Sequence, residues 1–502
     1  MHPRFAPVEL AFVGPAAPIP ADVEPLRVRF AHAEGRTVDV PGFWDGADRY
    51  LVRFAPEDEG AWTWTSRSDA SELDARSGAF DVGPAASGEH GPVRVAGRFH
   101  FAHADGTPFR PVGATAYNWL HQEEPLFSQT VEAIGGAGLN KLRFMVFPQA
   151  GGYVECFPDL LPFERGTDGG WDVTRPVPAF FRRLDDAVRT LGAAGIQADV
   201  LIYNAYDYGR FGLDGLTEEQ DAVYLRYLVA RLSAFPNVWW SLCNEFDQLD
   251  RPDERWDAAG LRLAEIDPHD HLRSIHNLVR LFDHNRPWVT HASLQLGQAT
   301  EEFGRASLFR DAYRKPIVLD EIKYEGDVPD RWGNLSAREL VHRFWVATVS
   351  GCYASHGESF VIPSGSLHIV EGGPFTGESP ARIGFLRGLL DAVDGAGVDP
   401  IDNWWDDAFV AGVDGSVYFQ YLGREAPGEW SFRLPIGWRG VQLEAGDRFE
   451  VDLIDTWHMT VTPVGRVFVI DETAKNDAWA RAADPVALPA GEALALRIRR
   501  AS

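Results

Sequence analysis

Two stretches of this chain end in residues able to carry acid–base and nucleophilic chemistry. The run 239–247 begins apolar, with Trp239, Trp240 and Leu242, and ends in the pair Asn244 and Glu245, followed by Asp247. The run 316–321 has the same form and ends in Asp320 and Glu321. Two carboxyl groups at the ends of two buried strands suit cleavage of a glycosidic bond. One protonates the leaving oxygen while the other attacks the anomeric carbon. The acid has to stay protonated near neutral pH, which requires a raised pKa. Trp239, Trp240 and Phe246 would give Glu245 the apolar surroundings for that. The nucleophile has to stay ionised, and Arg143 is placed to stabilise Glu321. Asn244 would bind the hydroxyl next to the reacting carbon. Asp320 and Glu325 compete with Glu321 for the nucleophile's place. Glu321 is preferred because it lies where a short strand starting after Lys315 reaches its rim; Glu325 then shapes the following loop or binds substrate.

Chemistry of this kind needs rigid elements to hold it. Eight apolar runs, 112–117, 139–146, 196–203, 238–242, 272–276, 288–291, 317–320 and 352–356, read as strands. Helical stretches lie between most of them, for example 177–194, 217–234 and 336–350, with apolar residues three and four apart. Parallel strands need such crossovers, and eight βα units predict a (β/α)8 TIM barrel over 93–398. Residues 1–88 predict an N-terminal β-sandwich, from short alternating runs at 26–30, 50–54 and 60–64, with Trp62 and Trp64 assigned to its core. The Gly- and Pro-rich stretch 83–92 reads as a linker. A last helix at 381–393 precedes a return to strand-like runs, so 399–502 predicts a C-terminal antiparallel β-domain. The fold class is therefore α/β, a central barrel flanked by two β-domains.

Active sites of TIM barrels lie at the C-terminal ends of the strands. Polar residues just past each apolar run are the candidates: Arg143, Tyr203, Asn204, Asp207, Asn244, Glu245, His276, Asn277, His291, Glu321, Tyr324, His356 and Glu358. Any one of them could be no more than a solvated βα loop, but a scaffold has no folding reason to end so many strands this way. Glu358 reads equally well as a ligand to sugar hydroxyls or as a loop salt bridge. Trp119, Trp171, Trp332 and Trp404 are candidate stacking platforms, and Trp332 stands out because it follows a catalytic strand directly. The expected substrate-binding set is Arg143, Asn204, Asn244, His276, His291, Tyr324, Trp332, His356 and Glu358.

Composition narrows the partners. The 502-residue chain carries a net charge of −26, which opposes nucleic acid and anionic membrane surfaces because phosphate contacts need clustered Lys and Arg. Its 17 tryptophans suit a protein that stacks sugar rings. Cys156, Cys243 and Cys352 are odd in number and fit neither a disulfide framework nor a zinc site. Together with an N-terminus lacking an apolar signal core, they suggest a cytoplasmic protein. No stretch is long and apolar enough to span a membrane. His269 and His271 follow Asp267-Pro268 in a loop and are expected at the surface. No Walker loop, His-Glu-x-x-His motif or nucleophile elbow occurs, so neither metal nor cofactor is implied. The expected partner is an oligosaccharide or glycoside; a homo-oligomer is compatible with the sequence.

With its Asn-Glu pair at strand four and Glu at strand seven, the chain resembles the clan A glycoside hydrolases. These are TIM-barrel retaining enzymes whose acid/base and nucleophile occupy those positions, matched here by Asn244-Glu245 and Glu321. Arg143, His276 and His291 resemble the substrate-binding set of family 5-like members. Residues 40–56 with Gly60-Ala61-Trp62-Thr63-Trp64 resemble a β-sandwich found before such barrels. Tyr324-Glu325-Gly326, Arg331-Trp332-Gly333-Asn334 and His356-Gly357-Glu358 resemble the endoglucanase- and apiosidase-like barrels of this architecture. Asp455-Thr456-Trp457-His458-Met459 resembles their C-terminal β-domain. The resemblance implies a retaining O-glycoside hydrolase acting on β-D-glycosides or equivalent α-L-furanosides in oligosaccharides. A transglycosylase using the same residues and a non-catalytic carbohydrate-binding barrel are the alternatives.

Overall fold

The computed structural model describes residues 1–16, 26–151, 154–155, 158–166, 170–206, 209–401, 409–437 and 440–501. Cys156, Asp207 and Trp404 lie outside these residues. The eight barrel strands are β1 (Val112–Thr115), β2 (Lys141–Met145), β3 (Gln197–Asn204), β4 (Val238–Asn244), β5 (Arg273–Ser274), β6 (Ala292–Gln295), β7 (Ile317–Glu321) and β8 (Tyr353–His356). They form one parallel sheet in the order β5-β4-β3-β2-β1-β8-β7-β6. A parallel bridge between His276 and Ser293 joins its two edges, so the sheet is a nearly closed barrel. Strand six differs from expectation: it covers 292–295 rather than 288–291, because Trp288 and Val289 pack in the approach to the strand rather than in it.

The strands are buried on both faces because helices cover the outside. These are α1 (Leu126–Gly136), α2 (Pro178–Ala193), α3 (Glu218–Leu232), α4 (Asp253–Ile266), α5 (Ala306–Tyr313), α6 (Ala337–Val349) and α7 (Ser379–Asp391). Two of their starts are written locally by side-chain caps. Thr217 Oγ1 accepts from the Gln220 amide at 3.2 Å and Gln220 Oε1 accepts from the Thr217 amide at 2.8 Å, a capping box that satisfies two otherwise orphaned donors of α3. Ser336 caps α6 from one side only, its Oγ accepting from the Glu339 amide.

The barrel interior is charged at its centre. Lys141 Nζ on β2 donates to Asp199 Oδ2 on β3 at 2.6 Å and to Asp320 Oδ1 on β7 at 2.7 Å, all three fully buried. Ser293 on β6 and Ser355 on β8 also donate to Asp320, each at 2.6 Å. Gly113 on β1 leaves room for this layer: a Cβ there would lie 2.2 Å from Ser355 Oγ. Burial raises the Asp199 pKa while Lys141 opposes it; burial also acts on Asp320, but there Lys141 and Arg143 prevail and hold the carboxyl well below its usual range. Below this layer, the strands Val93–Ala96, His100–His103 and Pro108–Phe109 plug the barrel floor, with Phe101 packed on Trp239 at 5.2 Å between ring centroids.

Largely antiparallel sheets flank the barrel, with one parallel pair between residues 2–3 and 82–83. Five- and three-stranded sheets from the first 83 residues enclose Val28, Phe30, Val52, Phe54 and Trp62. Trp62 is fully buried there, and Trp64 packs at the edge of the same cluster. This sandwich docks on the barrel through buried ions: Arg231 of α3 donates to Asp185 of α2 at 2.6 Å and to Asp45 of the sandwich at 2.9 Å, while Arg53 of the sandwich reaches Asp185 at 2.8 Å. The expected surface histidines belong to this seam. His269 and His271 are 4% and 1% exposed, His269 stacks on Phe54, and His271 Nδ1 pairs with Asp267 at 3.0 Å. The Asp267-Pro268 turn folds under the sandwich, which sequence alone could not foresee. After α7, a six-stranded antiparallel sheet carries its own core of Tyr418, Phe449, Val451, Leu496 and Ile498. Among the described residues, no helix is long and apolar enough to cross a membrane.

Candidate active site

At the C-terminal end of the barrel a cavity of about 530 Å³ opens, and Glu245 and Glu321 both line it. Glu321 closes β7 and is 5% exposed; Glu245 follows β4 and is 2% exposed. Glu321 Oε1 accepts from the Tyr117 hydroxyl and from Arg143 Nη1, the latter at 3.2 Å. Arg143 Nη2 donates to Asn244 Oδ1 at 2.7 Å, so one guanidinium joins the ends of β4 and β7 from β2. Asn244 thus spends its carbonyl oxygen internally, and among the described residues its Nδ2 has no hydrogen-bond partner. His276 Nδ1 lies 3.9 Å from Glu321 Oε1. Burial and the charge of Arg143 push its pKa far down, leaving a neutral imidazole beside that carboxyl.

Glu245 sits in a different environment. Its pKa is pushed up to about 8, first by burial and then by the charge of Glu321; hydrogen bonds from Tyr206 and Gln248 oppose the rise. The source of the shift differs from the sequence expectation. Trp239 and Trp240 stand at the start of β4, where their indole N–H groups donate to Gln197 and Asp267, and neither lines the cavity. The backbone of Glu245 adopts φ +53° and ψ +52°, a left-handed conformation that a side chain with a Cβ rarely takes and that costs on the order of 1–3 kcal/mol. The turn re-aims the chain directly after the strand and brings the carboxyl over the barrel mouth.

Tyr324 and Trp332 line the cavity as expected of substrate-binding residues, with their rings edge to face at 6.1 Å. Four other expected ligands lie elsewhere. Asn204 is fully buried, and its side chain bonds the Phe147 carbonyl and the Tyr206 amide, so it holds the loop that presents Tyr206. His291 precedes β6 instead of ending it and packs on the floor against Phe101 and Trp239. The strand shift of four residues puts it at the wrong end of the barrel. His356 is fully buried behind the cavity, edge-on to Phe375 at 5.0 Å. Glu358 is likewise buried, accepts from the Thr376 and Gly377 amides at 2.8 and 2.9 Å, and does not line the cavity. Among the stacking candidates, Trp119 is fully buried and stacked on Phe127 at 4.4 Å, and Trp171 does not line the cavity.

Sequence reasoning missed Tyr117, Tyr206, Gln248 and Gln295, all of which line the cavity. The signal for Tyr117 was present: it stands just past β1 and obeys the same strand-end rule as the others. Reading it as the last residue of the strand hid it. Tyr206 and Gln248 reach Glu245 through loop geometry, which has no pattern in the sequence.

The apiosidase-like catalytic-domain family matches residues 96–360, a little over half the chain. Two domain families of unknown function, DUF5060 and DUF5605, match residues 1–69 and 404–499. No curated protein matches the chain. Among solved structures, a candidate glycoside hydrolase of Bacteroides vulgatus ATCC 8482 is 33% identical, with 99% of each chain covered and a TM-score of 0.94. A glycoside hydrolase family 5 protein from the same organism is 16% identical, with a TM-score of 0.57 over 82% of this chain and 93% of that one, a likeness of fold. The chain belongs to the apiosidase-like family of TIM-barrel glycoside hydrolases.

Proposed function

We propose that this glycoside hydrolase cleaves O-glycosidic bonds of oligosaccharides with retention, through a glycosyl-enzyme intermediate on Glu321. Glu245 donates a proton to the leaving oxygen and then takes one from the attacking water. The substrates proposed are β-D-glycosides or α-L-furanosides of matching geometry. One observation carries the reading: two carboxyl groups line one cavity, and their partners differ in kind. Glu321 is ion-paired to Arg143, which suits a nucleophile, and Glu245 is held protonated by burial and by its neighbour's charge, which suits an acid. Asn244 Nδ2 would donate to the sugar hydroxyl next to the anomeric carbon.

The test is product analysis. With a panel of aryl β-D-glycosides and α-L-arabinofuranosides, ¹H NMR of the first-formed sugar is expected to show the substrate's anomeric configuration. A 2-deoxy-2-fluoro aryl glycoside of the preferred sugar should leave a label on Glu321. Inverted product, or no turnover across the panel, would reject the reading. A disaccharide or longer product formed with added acceptor sugar would identify a transglycosylase instead.

The pKa of Glu245 makes a separate expectation. The acid form is required for the first step, so kcat/KM should fall as pH rises through about 8. The sign for stability follows the same shift. A carboxyl raised from 4.5 to about 8 contributes stability that is fully present below pH 4.5 and lost as pH rises through about 8. Glu245→Gln is therefore expected to melt at a higher temperature than wild type above pH 8, and at the same temperature below pH 4.5. Equal melting temperatures at pH 9 would show that Glu245 carries no such penalty.

A further inference from the structure

The loops that follow β7 and β8 hold a second cluster of ionisable groups behind the cavity. Glu325-Gly326 pairs in parallel with Glu358-Ser359, with Glu325 opposite Glu358. Like charges side by side in a sheet oppose pairing, and here both are buried, at 4% and 0% exposure. Among the described residues neither carboxylate meets a Lys or Arg. The basic group at hand is His356, whose Nε2 lies 3.9 Å from Glu358 Oε1. His356 is fully buried, and neither of its ring nitrogens has a hydrogen-bond partner among the described residues.

We propose that Glu325, His356 and Glu358 bind one divalent transition-metal ion of the Zn²⁺ or Mn²⁺ kind, which ties together the two loops behind the wall of the cavity. One donor atom from each residue lies within 4.8 Å of the others. Two donors bound to one ion at about 2.0–2.2 Å stand roughly 3–4.3 Å apart. The 3.9 Å between imidazole and carboxylate is too long for a hydrogen bond and falls in that range.

The carboxylates are oriented as ligands would be. Glu358 accepts from the amides of Thr376 and Gly377, and Glu325 accepts from the amides of Glu378 and Ser379 and from Ser379 Oγ. These bonds occupy two of the about four lone-pair sites of Glu358 and three of those of Glu325, leaving two and one for a cation. An imidazole nitrogen with two carboxylates favours a transition ion over Ca²⁺, which takes oxygen ligands. The role is structural, because none of the three residues lines the cavity. Tyr324, directly before Glu325, does line it, and Ser379 begins α7. The ion would therefore brace the cavity wall against β8 and α7. The site is independent of which carboxylate acts on the sugar.

The test uses the full-length protein, stripped with EDTA and then dialysed against ZnCl₂ or MnCl₂. Elemental analysis is expected to find close to one ion per chain, with a higher melting temperature than the stripped protein. His356→Ala and Glu358→Gln are expected to lose the ion. Glu358→Gln keeps the size and carbonyl oxygen of the side chain, so its circular dichroism can establish that it folds. Two results would overturn the proposal. One is stripped wild type that retains neither ion and melts unchanged, which would mean that the cluster holds a proton instead; the pKa of Glu358, raised to about 7 by burial, would allow that. The other is undiminished binding in folded Glu358→Gln, which would place the ion elsewhere.

Discussion

Glu321→Gln and Glu245→Gln are each expected to lower kcat by about 10⁴–10⁶-fold on a substrate with a poor leaving group. The two losses should differ in kind. An aryl glycoside with a good leaving group needs little protonation, so Glu245→Ala should still form the glycosyl-enzyme at an appreciable rate. Added azide should then turn it over to a glycosyl azide of retained configuration. Glu321→Ala would lack the proposed nucleophile; azide entering the vacated space should give the inverted glycosyl azide. Arg143 and Tyr117 both bond Glu321 Oε1, so the cavity left by Glu321→Ala keeps an anion-friendly lining. Full activity in either Gln variant would remove that residue from the chemistry. Exchanged azide stereochemistry would exchange the roles.

The largest effect on stability is expected at Lys141. Its ammonium is fully buried between Asp199 and Asp320, at 2.6 and 2.7 Å. Lys141→Met keeps most of the side-chain volume but leaves two carboxylates facing each other, with Arg143 Nε 3.8 Å from Asp320 as the remaining cation. Breaking a buried ion pair from one side costs about 3–5 kcal/mol. The variant should therefore unfold at a clearly lower urea concentration. Adding Asp199→Asn should restore part of the loss, because it removes one of the stranded charges. A Lys141→Met protein with the wild-type urea midpoint would show that the cluster contributes nothing to holding β7. Activity should fall as well, since Asp320 immediately precedes Glu321 and its clamp by Lys141, Ser293 and Ser355 fixes the end of β7.

Much of the architecture was legible from periodicity. Long helices with capping signals, such as 217–234, differ from α3 by a residue or two at the ends, because Thr217 and Gln220 write the start into the chain. Strands buried on both faces, such as β3 and β7, are marked by the apolar runs 200–203 and 317–319 within them. The short strand β5 lies at 273–274, inside the run 272–276, whereas β6 covers 292–295 rather than 288–291, and that four-residue shift leaves His291 on the floor instead of at the expected mouth. The barrel class and the enzyme class survive such a shift, because they depend on the count of βα units and on the family.

The sequence by itself determined which residues could do chemistry and which strands end in them. An apolar run followed by Asn244-Glu245, and another ending in Glu321, are local facts of composition and need no fold to be read. Only the tertiary structure decided which polar residues face the cavity and which serve the scaffold. Tyr117, Gln248 and Tyr206 enter the site through positions more than 30 residues apart in the chain, whereas Asn204 and Glu358 turn away to satisfy buried backbone groups and His356 packs edge-on to Phe375. The physical reason is that the charge state of a buried carboxyl is set by what surrounds it in space. Glu245 and Glu321 are the same amino acid at equivalent strand ends. They are distinguished by a guanidinium from β2 on one side and by burial beside a like charge on the other.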